Sequence, residues 1–376
     1  MAASPRRRRV LHVVTRYRRG GSEQRVRDFV AALGDHDHVV IVGDDSDVEL
    51  ATSHLGVPVE LESNLVRSPR FEADARAVRT LTARLRRERP DLVVTHQSKA
   101  GVVGRVAARL AGGIPVVHSL SMASFGPGYG RTESTVFRVV ERALAPLTAR
   151  YVVVGADLAR RFEVAGVASH KLVIVRSAAT IPASRPEAVP SVPGVPDGRP
   201  VVLCLGALEP RKNPLDLVPL LQRVRAQVPD AFLAVAGEGP LSDDLAKAVA
   251  EAGLADDIAL LGFVKPVEPL LWRADALVLL SNAEGLPQVL IQAAAAGLPF
   301  VTYDVDGGRE VVALGAVGRV VPLGAVDGAA DALVSLLRAS ASRRRRIDVS
   351  SWDPNVIAAS YRSVVDNVLG EVRRVG

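Results

Sequence analysis

The stretch SNAEGLPQVLIQAAAAGLP, Ser281 to Pro299, joins a strand-like run to a helix and places Glu284 at the junction. Pro287 suits a first helical turn and Gly297 a helix stop, so a helix of about ten residues is expected to open at Pro287. The unpaired backbone N–H groups at its start, in Gly285 to Val289, can hold an anion such as a diphosphate. A carboxylate beside them can accept hydrogen bonds from sugar hydroxyls. A glutamate there can equally do no more than complement the helix dipole. In GALEPRKNP, Arg211 and Lys212 follow a strand and a glycine, just before a helix that Asn213 or Pro214 opens. Two fixed cations at the mouth of a parallel sheet suit a leaving diphosphate, whose charge grows as a glycosidic bond breaks. The plain alternative is a solvated turn.

Other signals are weaker. Gly20 and Gly21, after VVTRYRR, allow a backbone to approach phosphate closely, and AVAGEGP is a second glycine turn. The full dinucleotide fingerprint G-x-G-x-x-G is absent, which argues against a nicotinamide enzyme. Asp304 and Asp306 in DVD lack a nearby histidine or third acid, so they read as a loop after a strand rather than metal ligands. His96 and His118 are expected at strand ends, either facing a ligand or packed within the fold. Cys204, the only cysteine, sits in an apolar run and excludes an internal disulfide or a cysteine-based zinc cluster.

The elements that must carry these residues alternate regularly. VLHVV (Val10 to Val14), HVVIVG, DLVVTH, IPVVHSL and RYVVVG read as buried strands, with helices such as Glu23 to Leu33 and Phe71 to Arg89 between them. A proline-rich stretch then reads as a stiff linker. A second alternation follows, with strands VVLCLGAL, AFLAVAGEG, IALLGFV, ALVLLS and PFVTYDV and helices starting near Pro214, Leu241, Glu268, Pro287 and Gly328. SSWDPNVIAASYRSVVDNVLGEVRRV reads as one amphipathic helix with Val356, Ile357, Tyr361, Val364, Val365 and Val368 on its apolar side. The expectation is α/β, two doubly wound domains: 1–182, a linker 183–200, 201–350, and a final helix 351–376. Ligands in such sheets bind beyond the carboxyl ends of the strands.

With 376 residues and 48% hydrophobic content, two domains of ordinary size fit the length. The charge of +6 comes with only 4% aromatics, which disfavours nucleic acid and favours small anions or an acidic membrane surface. The apolar run behind Arg6 to Arg9 is too short for a signal peptide, and no segment approaches a membrane span. A cytoplasmic protein is expected.

Taken in order, RRGGSEQ, PDLVVTHQSKAGVVGRVAARLAG, GALEPRKN, AVAGEGP, LLGFV, NAEGLPQVLIQAAAAGLPFV, DVDGGREVV and SSWDPNVIAASY resemble the family 4 retaining glycosyltransferases along nearly the whole chain. The resemblance implies a GT-B fold of two Rossmann-like domains facing a cleft. The nucleotide-sugar donor would be held mainly by the second domain and the acceptor by the first, where His96, His118 and Ser121 are the candidate acceptor contacts, with the last helix crossing back. It implies no cofactor and no essential metal. By resemblance, Glu284 contacts the donor sugar, Gly285, Leu286 and Pro287 lie along the sugar and diphosphate, and Lys212 binds the diphosphate. Gly20 and Gly21 approach the phosphates, and the base lies near Gly237, Phe263 and Val264. Transfer would proceed by front-face displacement with retained anomeric configuration.

The departures from that pattern are specific. Gln292 replaces a second glutamate that accepts hydrogen bonds from ribose; an amide offers one acceptor oxygen in place of a charged pair, a loss of about 1 to 2 kcal/mol. Ala207 stands where an arginine is usual; Arg211, adjacent to Lys212, either replaces its charge or leaves it unreplaced, and the sequence leaves both open. Ser121 replaces a histidine that would touch the donor sugar, and an Asn-Gly before the linker is missing. The sequence therefore points to an active transferase, with a UDP-sugar donor and a glycan, lipid-linked or small-metabolite acceptor. The competing readings are a non-catalytic binding homologue and, less well supported, a nucleotide-sugar isomerase. The arginine-rich RFEADARAVRTLTARLRRERP is compatible with peripheral contact at the inner face of the cell membrane.

Overall fold

The computed structural model describes residues 6–18, 21–339 and 344–375. It divides into two compact units, residues 1–178 with 350–376, and residues 179–349. In unit 1 the order is β1 (Arg9–Val14), α1 (Gly21–Ala32), β2 (Asp37–Gly43), α2 (Val48–Leu55), β3 (Val59–Glu62), α3 (Phe71–Glu88) and β4 (Leu92–His96). It continues with α4 (Ser98–Leu110), β5 (Val116–Leu120), α5 (Arg131–Leu144), β6 (Arg150–Val153), α6 (Ala156–Val164) and β7 (Leu172–Ile174). Unit 2 holds β8 (Val201–Leu205), α7 (Leu217–Arg225), β9 (Phe232–Ala236), α8 (Ser242–Glu251), β10 (Ile258–Leu260) and α9 (Glu268–Arg273). It closes with β11 (Ala276–Leu279), α10 (Gln288–Ala295), β12 (Phe300–Tyr303), α11 (Gly308–Ala313), β13 (Gly318–Val321) and α12 (Val326–Arg338). The last helix, α13 (Pro354–Val375), belongs to unit 1.

Both sheets are parallel and doubly wound, as the alternation predicts. The first has the order β3-β2-β1-β4-β5-β6-β7 and the second β10-β9-β8-β11-β12-β13. Each order reverses direction at one place, between β1 and β4 in unit 1 and between β8 and β11 in unit 2. Chain leaving those neighbouring strands diverges to opposite faces and leaves a crevice at their carboxyl ends. The loops after β8 and β11 contain Arg211, Lys212 and Glu284.

The valine-rich strands are buried on both faces. In unit 1 one face packs Val10, Leu92, Val94, Val117 and Val152 against α1 and α13. The other packs Leu11, Val13 and Val93 against Leu81 and Leu85 of α3 and Val103 of α4. Helix α13 buries Ile357, Tyr361, Val364, Val365 and Val368, and each such side chain contributes roughly 1.5 to 3 kcal/mol before entropy is counted.

Several sequence expectations are corrected. Val356 is 47% exposed, because it precedes Ile357 by one residue and so sits about 100° around the helix from that stripe. Ser350–Trp352 form a separate 3-10 turn rather than the start of α13. Strands β3, β7 and β13 were not expected; all three are edge strands of three or four residues, and β3 (VELE) carries two glutamates. The proline-rich 183–200 segment is pinned onto unit 2: Arg185 Nε donates to Trp272 O (3.0 Å) and Arg273 Nη2 to Pro196 O. In the basic run from Arg343, which itself lies outside the described residues, Arg346 Nε donates to Ala295 O (2.5 Å) and Arg344 Nη2 to Trp272 O (3.3 Å). These arginines serve the carboxyl ends of α10 and α9.

Candidate active site

Unit 2 assembles a compact charged cluster at its switch point. Lys212 Nζ donates to Glu284 Oε1, and Arg211 Nη1 reaches the same oxygen at 3.0 Å. Arg211 Nη1 also donates to Ala283 O (2.7 Å), while its Nη2 donates to Glu209 Oε1 (2.6 Å). The side chains of Glu284 and Lys212 are only 10% and 17% exposed, and that of Arg211 is 33% exposed. Burial by itself would raise the Glu284 pKa. Lys212 and Arg211 outweigh it and hold the carboxyl below its ordinary range, so it is ionised at neutral pH. Ala207 is exposed and brings no charge; the guanidinium near Glu284 comes from Arg211.

Two asparagines that sequence reasoning did not assign to the site align these loops. Asn213 and Asn282 exchange side-chain amide hydrogen bonds (2.8 and 2.9 Å), Asn213 Nδ2 also donates to Leu280 O (2.9 Å), and Asn282 N donates to Arg211 O (2.9 Å). Asn213 adopts a left-handed conformation, φ 48°, which asparagine tolerates better than most residues. It leads into a 3-10 turn, Pro214–Asp216, so α7 starts at Leu217 rather than at Pro214. The only sequence signal was an Asn-Pro pair after the cations.

The tips of three neighbouring strands form a floor of backbone beside the cluster. Gly206 N donates to Ala236 O (3.0 Å) and Gly237 N to Gly262 O (2.8 Å). A Cβ on Gly237 would lie 1.8 Å from Gly206 O, so no side chain fits there. Glu238 Oε1 accepts from Phe263 N at 3.1 Å, and Phe263 leaves its ring 74% exposed, with Val264 half-buried behind it. Gly285, Leu286 and Pro287 are buried, and Gly307 of the loop after β12 packs so closely that its Cβ would meet Leu286 Cα at 2.8 Å. Helix α10 runs only from Gln288 to Ala295, and Pro287 is its cap rather than its first-turn residue. Gln292 lies half-buried one turn into that helix. Asp304 is engaged by Arg309 (2.9 and 2.7 Å), consistent with a loop role.

Unit 1 holds the remaining predicted residues. Gly20 lies outside the described residues, Gly21 opens α1, and Ser121 is half-buried just after β5. Of the two readings of His118, the packed one holds within unit 1: it sits in the middle of β5 rather than at its end, fully buried, with Nδ1 2.8 Å from Thr95 Oγ1. His96 ends β4 but its ring is drawn inward into a row of histidines. His96 Nε2 is 3.1 Å from His12 Nδ1, His12 Nε2 is 3.0 Å from His38 Nδ1, and His38 Nε2 is 2.9 Å from Leu33 O. A carbonyl only accepts, so His38 carries its proton on Nε2, and each neutral ring in turn donates from Nε2 to the next Nδ1. Burial, foremost, pushes the pKa values of these rings down, that of His96 to about 3.

Comparison with known proteins agrees with this geometry. Residues 20–178 match the glycosyl transferase 4-like domain and residues 187–349 the family described as glycosyl transferases group 1. The chain is similar to 2-deoxystreptamine N-acetyl-D-glucosaminyltransferase of Streptomyces fradiae, 30% identical over 322 residues, covering 79% of this chain and 74% of that protein. It is also similar to UDP-Gal:alpha-D-GlcNAc-diphosphoundecaprenol alpha-1,3-galactosyltransferase of Escherichia coli, 27% identical and covering 69% and 70% of the two chains. In fold it resembles Anabaena Alr3699/HepE, solved in complex with UDP-glucose, with a TM-score of 0.68 at 18% identity over 97% and 99% of the two chains. Two parallel Rossmann-like sheets, two family matches that together span most of the sequence and relatives of this similarity lead to one conclusion: the chain belongs to the family 4, group 1 glycosyltransferases of GT-B fold.

Proposed function

We propose that the chain transfers a sugar from a nucleotide-sugar, a UDP-sugar first among candidates, to a hydroxyl of its acceptor with retention of anomeric configuration and without a metal. The observation that carries this reading is the Glu284–Lys212–Arg211 cluster at the switch point of unit 2. Lys212 and Arg211 receive the departing diphosphate, and Glu284 accepts hydrogen bonds from the donor sugar. The bond between the anomeric carbon and the phosphate oxygen breaks, the acceptor oxygen joins on the same face, and the freed phosphate oxygen takes the acceptor's proton. Relatives named for UDP-Gal and for 2-deoxystreptamine support a choice of acceptor between lipid-linked diphosphates and small metabolites.

Calorimetric titration with UDP, GDP, ADP and dTDP, repeated with Gln292→Glu and Glu284→Ala, tests the reading. Binding of one nucleotide names the base, and the anomeric coupling constant of the product tests retention. Binding only after Gln292→Glu favours the non-catalytic alternative, in which the glutamine has retired the site.

A peripheral membrane reading has its own support. Helix α3 buries Ala73, Ala77, Leu81 and Leu85 and turns Arg76, Arg79, Arg86 and Arg87 outward, with Phe71 at its start 90% exposed. That face suits an anionic bilayer carrying a lipid-linked acceptor. No helix among the described residues is long and apolar enough to cross a membrane. Sedimentation with phosphatidylglycerol vesicles but not phosphatidylcholine vesicles, lost at high salt, is expected; no binding at low salt removes this reading.

A further inference from the structure

Two kinds of contact join the loop after β8 to the loop after β11 in unit 2. One is ionic: Lys212 and Arg211 share Glu284 Oε1. The other is neutral. Asn213 Nδ2 donates to Asn282 Oδ1 (2.8 Å) and Asn282 Nδ2 donates back to Asn213 Oδ1 (2.9 Å), so the two amides close a ring of paired hydrogen bonds. The other N–H of the Asn213 amide donates to Leu280 O (2.9 Å), which leaves every donor and acceptor of that side chain engaged across the gap between the loops. Asn213 directly follows Lys212, and Asn282 precedes Glu284 by two positions. At φ 48° and ψ 51° the Asn213 backbone is left-handed, a conformation that glycine adopts without strain. The backbone alone therefore does not ask for an amide here, and the side chain has work of its own.

The ionic and the neutral contact respond differently to a ligand. A cation that receives a diphosphate gives up part of its hold on Glu284, because the same N–H groups serve both partners. A carboxylate that turns to sugar hydroxyls does likewise. The ion pairs thus hold the two loops in register while the site is empty and slacken as it fills. The amide ring carries no charge and its donors are already engaged, so it stays closed in both states.

We propose that Asn213 and Asn282 are a pair of positioning residues, whose amide ring keeps Lys212 and Glu284 in register when the donor draws the ion pairs between the loops apart. The inference rests on the nucleotide-sugar reading. In that reading a free nucleoside diphosphate draws chiefly on Lys212 and Arg211, whereas an intact nucleotide-sugar draws on Glu284 as well and so depends on the spacing of the two loops. A misplacement of about 1 Å between such groups is enough to cost about 100-fold in rate.

Two variants open the ring from its two sides. Asn213→Gly keeps the left-handed backbone and removes one amide, and Asn282→Ala removes the other; Trp272 fluorescence, in unit 2, reports that each variant is folded. Calorimetry with UDP and with UDP-glucose, UDP-galactose and UDP-N-acetylglucosamine reads the split, with GDP and GDP-mannose in their place where the wild type selects GDP. Each variant is expected to bind the nucleotide-sugar about tenfold more weakly and the free nucleotide within about threefold of wild type. The double variant is expected to be no worse than either single one, since each change alone opens the same ring. The backbone amide at position 282, bonded to Arg211 O at 2.9 Å, is expected to exchange slowly in the wild type and, in Asn213→Gly, faster with UDP bound than without it. Equal weakening of nucleotide and nucleotide-sugar, unchanged binding of both, additive effects of the two substitutions, or exchange at position 282 that ignores UDP overturns the assignment of the asparagines and leaves the nucleotide-sugar reading in place. A wild-type protein that binds none of UDP, GDP, ADP and dTDP overturns that reading, and the part of the asparagines with it.

Discussion

All seven histidines of the chain lie in unit 1, between His12 and His170, and unit 2 has none. Three of them, His12, His96 and His118, are almost wholly enclosed as neutral rings whose folded pKa values lie below the free value of 6.5, burial being the largest cause, and His38, less deeply enclosed, is lowered in the same direction. The sign follows directly. Stability that depends on keeping them neutral is complete above pH 6.5 and drains away as pH falls from 6.5 toward the folded values, about 3 for His96. At pH 5 an unfolded chain gains about 2 kcal/mol per histidine by binding a proton that the folded ring refuses. Three rings amount to about 6 kcal/mol, comparable with the whole stability of many domains. Each unit carries its own reporter: Trp272 in unit 2, and Trp352 in unit 1, buried beneath the Arg176 guanidinium at 5.0 Å. Urea unfolding of Trp272→Phe, followed by fluorescence, should show the unit 1 midpoint falling by roughly 2 to 3 M between pH 7 and pH 5, if not unfolding outright. The Trp352→Phe variant, reading Trp272, should show unit 2 changing by less than about 1 kcal/mol. A unit 1 loss below about 2 kcal/mol, the worth of a single ring, or an equal loss in both units would refute the reasoning.

Three further outcomes are expected. Glu284→Gln turns the neutral cluster of Glu209, Arg211, Lys212 and Glu284 singly positive, so calorimetry should find UDP affinity held or raised by up to about tenfold, while transfer assays show a loss of at least about 100-fold; weakened UDP binding with intact transfer would reverse the assigned roles. Gly237→Ala drives a Cβ into Gly206 O, and scanning calorimetry should show the unit 2 transition lowered by roughly 5 to 10 °C, with nucleotide binding impaired. Glu141→Ala strips the buried Arg105 of its paired hydrogen bonds, both 2.8 Å, and should cost about 3 to 5 kcal/mol in urea, much of it recovered when Arg105→Met is added.

What the sequence made legible depended on burial. Strands such as VLHVV and VVLCL are covered on both faces and read as unbroken apolar runs, whereas the short edge strand β3 mixes Val59 and an exposed Leu61 with Glu60 and a buried Glu62 and so shows no apolar run or alternation to read. The charged cluster was legible because Arg211, Lys212 and Glu284 each follow a strand end. The pairing of Asn213 with Asn282 was not, since 69 residues separate them and only the adjacency of β8 and β11 brings them together. His118 was left open between ligand and core for a related reason. Its place in β5 could be read, but the threonine of β4 that receives it belongs to another strand.

Helix α13 is separated from the rest of its unit by all of residues 179–349, yet its apolar side completes the sheet face formed by Val10, Leu92 and Val117. During synthesis the first 178 residues therefore emerge with that face uncovered. At 5 to 20 residues per second, roughly 10 to 40 s pass before Ile357 to Leu369 arrive to cover it. Unit 2, whose sequence is continuous, can complete its core in that interval. The order of maturation is thus the reverse of the order of translation: the second unit closes first, and the unit begun at the amino terminus is the last to become native.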